Sequence, residues 1–159
     1  MIDPQGIANS LFGLQRMTSD SEEVRLVVQA LAVKIEQSWK LLSAQHISNS
    51  LFGIQGMCSN EPEVRSLLHS FVPKLLASRD IMSPPKQICN SIYGLKSMSS
   101  THDEVRATLG PLTEKLNLCT EPISLQLLAN AFFGLQGMDS DSEEVRSLLV
   151  SLCDKLSNV

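Results

Sequence analysis

The sequence predicts an all-α fold: an α-solenoid of four tandem helix-turn-helix repeats, each of about 40 residues, wound as a right-handed superhelix. Three observations predict it. A phrase recurs as ANSLFGLQRM, SNSLFGIQGM, CNSIYGLKSM and ANAFFGLQGM, with its Asn at positions 9, 49, 90 and 130, and recurrence at that period marks stacked units. Each phrase leads through a short polar loop into a Leu- and Val-rich run at helical spacing. Aromatic residues are only 4% of the 159 while apolar residues are 43%, a balance that suits packed helices better than a β-sandwich. The chain therefore reads as a single domain over 1–159, with repeats at about 3–42, 43–82, 83–123 and 124–159.

The first helix of each repeat is expected from Gln5 to Met17, with copies beginning at Gln45, Lys86 and Gln126. At helical periodicity Ile7, Leu11 and Leu14 share one face, flanked by Ala8, Phe12 and Met17. So wide an apolar arc suits a helix packed on its partner and on both neighbouring repeats. Asp3-Pro4 supplies a cap and a proline at the first turn, and Ser43, Ser83 and Ser124 are the corresponding caps of the later copies.

The loop MTSDSEEVR and its copies are expected to end in capping boxes, pairing Asp20 with Glu23, Asn60 with Glu63, Thr101 with Glu104 and Asp141 with Glu144. The second helix then carries Val24, Val28, Leu31 and Ile35 inward, as Val145, Leu149, Leu152 and Leu156 do in the last copy. Lys34, Lys74, Lys115 and Lys155 fall near its end, opposite its negative terminus.

Several rows recur within this frame. Gly13, Gly53, Gly94 and Gly134 each weaken a helix by roughly 1 kcal/mol relative to Ala, which calls for close approach of another backbone or of a ligand. The aromatic row Phe12, Phe52, Tyr93 and Phe133 is expected in the core. The row Gln15, Gln55, Lys96 and Gln136 is expected to bond helix to helix, and Arg25, Arg65, Arg106 and Arg146 to form ion pairs between repeats.

Outside the apolar arc, the first helices present one polar stripe. Its candidate binding residues are Gln5, Asn9 and Arg16; Gln45, His46 and Asn49; Lys86, Gln87 and Asn90; and Gln126 and Asn130. A constant Asn with changing neighbours is the pattern that modular base reading by stacked repeats requires. The same Asn row could instead bond neighbouring loops as a structural ladder. None of the four first-helix segments contains Asp or Glu, whereas 11 of the 17 acidic residues lie in the loops or in the first turn of the second helix. The formal charge of −4 argues against indiscriminate polyanion binding, yet the stripe itself is neutral to mildly basic.

Cys58, Cys89, Cys119 and Cys153 have no CxxC spacing and form no ligand cluster with His46, His69 and His102, so reduced, packing cysteines in a reducing intracellular compartment are expected, with no metal and no cofactor. No apolar run is long enough to cross a bilayer, and no signal peptide precedes the first repeat. No catalytic constellation stands out, and a non-enzymatic chain is expected.

The pattern Gln-x-x-Ala-Asn-x-x-aromatic-small-Leu, in QGIANSLFGL and QLLANAFFGL, followed by second helices such as VRSLLVSLCDKL, resembles the octotricopeptide repeats, a helical-pair family related to the repeats beside RAP domains. The resemblance spans nearly the whole chain. It implies an organellar RNA-binding factor, in mitochondrion or chloroplast, that holds single-stranded RNA along the first helices. The alternative reading is a protein–protein interaction scaffold or a structural subunit of a larger organellar complex. Apolar end repeats favour protein partners or end-to-end association.

Overall fold

A computed structural model describes residues 3–159. They form eight helices: α1 (Pro4–Gly13), α2 (Glu22–Gln37), α3 (Ala44–Gly53), α4 (Pro62–Ala77), α5 (Lys86–Tyr93), α6 (Asp103–Leu118), α7 (Leu125–Phe133) and α8 (Glu143–Leu156). No strand occurs among the described residues. The arrangement is repeat-like: α1 packs on α3, α3 on α5 and α5 on α7, while α2, α4, α6 and α8 stack in a second row. Helices of one pair touch less extensively than helices of successive pairs. A continuous apolar core runs between the rows, from Ile7 and Leu11 through Ile54, Phe71 and Leu95 to Leu148 and Leu152.

The odd-numbered helices are shorter than the expected 5–17. Each stops at or just before its Gly, and i→i+3 bonds such as Leu14 N–H to Leu11 C=O (2.9 Å) and Gln15 N–H to Phe12 C=O (3.1 Å) tighten the chain into a turn. None of these glycines has positive φ. Their reason is contact: a Cβ on Gly53 would strike the Leu11 carbonyl, one on Gly94 the Leu51 carbonyl, and one on Gly134 the Ile92 carbonyl. Backbone therefore seats directly on backbone at each step between pairs, and any residue larger than Gly would force the odd helices apart.

Two polar ties recur beside this contact. The buried Ser19, Ser59 and Ser100 hydroxyls accept the N–H of Cys58 (2.8 Å), Ser99 (2.8 Å) and Asp139 (3.0 Å) in the following pair. Lys74, Lys115 and Lys155 donate to the carbonyls of Ser38, Ser78 (2.9 Å) and Cys119 (2.6 Å), the C-caps of α2, α4 and α6. Each of these lysines lies in the last turn of its own helix, as expected, but its ammonium reaches the negative end of the preceding even-numbered helix. Burial lowers the Lys115 ammonium below its ordinary value, against the opposing pull of Asp80 and Glu114.

The expected capping boxes do not form. The N-caps of α2, α4, α6 and α8 are Ser21, Glu61, His102 and Ser142, none with a side-chain cap bond. The arginine row holds the loops instead: Arg25 donates to the Ser19 and Asp20 carbonyls, Arg65 to Ser59 and Asn60, Arg106 to Ser100, and Arg146 to Ser140 and Asp141. Ion pairing between pairs is confined, among the described residues, to Arg25 and Glu61 (3.7 Å). Asp3, Ser43 and Ser124 cap α1, α3 and α7 as expected. Ser83 does not cap α5; Pro85 takes that place, and the Ser83 hydroxyl turns to Glu121. Cys89 is buried, which pushes its thiol up to about 12; all four cysteines are free.

Candidate binding groove

The odd-numbered helices line an open groove enclosing about 510 Å³, bounded by Phe12, Gln45, Ser48, Asn49, Phe52, Pro84, Lys86, Gln87, Asn90 and Asn130. Its polar side is built the same way in three of four pairs. Gln5 Nε2 donates to Asn9 Oδ1 (2.7 Å), Gln45 to Asn49 (2.8 Å) and Gln126 to Asn130 (3.2 Å). The two residues stand four apart, so a helix brings them together unaided. With its oxygen engaged, each Asn is left with its Nδ2 donors. Among the described residues none of the four Asn Nδ2 groups bonds to protein. In the third pair Lys86 replaces the Gln, and Asn90 faces the groove beside an ammonium.

A ladder between pairs does exist, but it runs through the glutamines and not through the asparagines. His46 Nε2 meets Gln5 Oε1 (3.3 Å), and Gln87 Nε2 donates to Gln45 Oε1 (3.1 Å). His46 Nδ1 accepts the Ser43 N–H (3.3 Å) while Ser43 Oγ accepts the His46 N–H (3.2 Å), a capping box that fixes the orientation of the ring. Leu127 occupies the corresponding place in α7, so the relay stops before the last pair. Gln87 Oε1 is buried without a partner.

Phe12 and Phe52 of the aromatic row line the groove, and for the row as a whole the expectation of core residues is wrong. Phe12, Phe52, Tyr93 and Phe133 stack ring on ring with centroids 6.0, 5.8 and 5.9 Å apart. They lie at the surface: Phe12 is 38% and Phe133 50% exposed, with Phe52 and Tyr93 half-buried. The backbone contact at the glycines draws the rings close enough to cover one another, so they need no core. Lys96 stands 4.6 Å from the Tyr93 centroid and donates to Tyr93 Oη (3.0 Å) and Gln55 Oε1 (3.2 Å). The expected bond between helices in the Gln55 row is thus present at this step, whereas Gln136 is exposed.

Of the sequence-predicted residues, Gln45, Asn49, Lys86, Gln87, Asn90 and Asn130 meet in the groove, and Gln5, Asn9, His46 and Gln126 adjoin it through the bonds above. Arg16 does not join them. It is exposed in the turn after α1, at the place where Gly56 and Gly137 abut the preceding backbone. Sequence reading missed the open aromatic side. The one available signal was that the ring recurs next to the Gly, where pairs come closest.

Chemically, the groove offers outward amide donors at a regular step, an apolar ribbon and one ammonium, with no carboxylate along its lining. Among the described residues no group of three or more His, Cys, Asp or Glu is placed to hold a metal ion, and no helix is long and apolar enough to cross a membrane. Compared with known proteins, the chain matches no family model, no curated protein and no solved structure.

Proposed function

We propose that this chain is a non-catalytic α-solenoid binding module that holds single-stranded RNA in the groove of α1, α3, α5 and α7. The stacked pairs would form a superhelix of four repeats. The observation that carries the reading is the row of Asn9, Asn49, Asn90 and Asn130: three of the four have their oxygens engaged within the helix, and all four leave their Nδ2 donors free. A protein that used these amides only for packing would have paired them. Unstacked bases offer carbonyl and ring-nitrogen acceptors at one step per nucleotide, and repeat proteins read them with two or three side chains per repeat. The changing set beside each Asn (Gly6, His46, Gln87 and Leu127) would tune which base is preferred.

The rings serve this reading as an apolar wall and not as intercalation sites, because their inner faces are already stacked on one another. With Lys86 in the groove and Lys96 beside the rings as the main cations, few phosphates are neutralised. The logarithm of the binding constant should fall with that of salt at a slope of about −1.4 for two contacts to a single strand. The resemblance to octotricopeptide repeats extends the proposal to an organellar setting.

The test is fluorescence anisotropy with a short labelled single-stranded RNA library. The parent binds with the shallow salt dependence above. The double variant Asn49→Ala, Asn90→Ala loses binding while its helical content and melting midpoint stay those of the parent. Equal binding by parent and double variant would remove the amide row from the site, and the scaffold reading would take its place.

A further inference from the structure

The step from one pair to the next is made three times in this chain with the same parts, and both halves of a fourth step lie uncovered at its two ends. Positions that face backward are buried in the later pairs but open in the first. Val27 is 45% exposed, while its counterparts Leu67, Thr108 and Leu148 are all 0%. A Cβ placed on Gly13 would find nothing within 4 Å, while at Gly53, Gly94 and Gly134 that space is filled by a carbonyl. Forward-facing positions behave in the opposite sense. Leu156 is 41% exposed where Ile35, Leu75 and Leu116 are at most 1%, and Phe132 is half-buried where Leu11, Leu51 and Ile92 are fully buried.

The polar ties are divided in the same way. The Thr18 N–H and Lys34 Nζ are the donors of a tie without an acceptor among the described residues, and Ser140 Oγ is the matching acceptor without a donor. A donor set on one end and an acceptor on the other fit each other and not themselves.

We propose that a second copy of this chain docks head to tail, with α1 and α2 of one copy laid on α7 and α8 of another as a fourth instance of the internal step. Gly13 of one copy then seats on the Phe132 carbonyl of its neighbour, Val27 packs into the face that holds Leu156, and Thr18 donates to Ser140. Two different patches are used, so the interface is heterologous and propagates into chains or closes into a ring. Arg16 opposes it in part. Its counterparts Gly56 and Gly137 leave no room for a Cβ, although Ser97 is accommodated by donating to the Gln55 carbonyl (3.1 Å). This inference is independent of RNA binding, because the end faces and the groove are different surfaces.

Sedimentation velocity over a wide concentration range tests it, using the full chain. The parent's mass should rise with concentration past that of a dimer. Val27→Arg and Leu156→Arg alter side chains already exposed in the single chain, so each should keep the parent's circular dichroism melting curve yet sediment as a monomer. An equimolar mixture of the two should form dimers and nothing larger, since one retains the rear face and the other the front. Arg16→Gly should strengthen assembly. A parent that stays monomeric throughout, a single variant that still assembles, or a mixture that fails to dimerise would overturn the proposal.

Discussion

Two rows recur in this chain at the same spacing and only four residues apart, Asn9 to Asn130 and Gly13 to Gly134, yet they end in opposite situations. Each Gly after the first is filled by the backbone of the preceding pair. Each Asn is held by its own helix, or stands alone, and its Nδ2 has no protein partner among the described residues. Recurrence therefore does not distinguish a joint from an open face. What distinguishes them is whether the neighbouring pair supplies a partner.

Substitutions should separate the two rows by sign and size. The largest effect is expected at Gly53→Ala or Gly94→Ala, where the added Cβ meets main-chain atoms that have no room to move. Overpacking of this kind should lower unfolding stability by about 3 kcal/mol, read from denaturant melts at constant m-value. Next is Ser59→Ala, which removes the acceptor of the Ser99 N–H and the partner of His102 Nδ1 (3.0 Å). Leaving that half-buried donor unpaired should cost about 1 kcal/mol. Gly13→Ala has no neighbour to meet and should stabilise the single chain by about 0.5 kcal/mol. The smallest change in stability belongs to the double variant Asn49→Ala, Asn90→Ala, within about 0.5 kcal/mol of the parent. If that variant fell as far as Gly53→Ala, the contrast between joint and surface would collapse.

Much of the fold was legible because it is written in periodicity. The four phrases place the odd-numbered helices, the Leu- and Val-rich runs place the even-numbered ones, and Asp3, Ser43 and Ser124 place three of the helix starts. What local patterns could not reveal was which recurrent polar residue points to its own helix and which to the next pair. Asp20 and Glu23 have the letters of a capping box, but α2 begins one residue later than they require: Ser21 is the N-cap, and Glu23 accepts from the Ser21 hydroxyl (2.5 Å) instead of from the Asp20 N–H. Lys115 has the letters of a C-terminal cation, but the nearer bare carbonyl belongs to the preceding pair. The Phe52 row has the composition of core, yet it lies at the surface because the glycine contact stacks its rings on one another. The polar half of the groove was legible from i, i+4 spacing, since Gln45 and Asn49 need only their own helix to meet.

If the acid-free face of the odd-numbered helices is the ligand surface, a bound strand must touch it along its length. Photocrosslinking a 4-thiouridine-containing RNA to the parent, followed by mass-spectrometric mapping of the adducts, tests this most directly. Adducts should concentrate on α3 and α5, around Asn49, Phe52, Lys86 and Asn90. Adducts confined to α4, α6 or the acidic loops, or no adduct at saturating RNA, would contradict it.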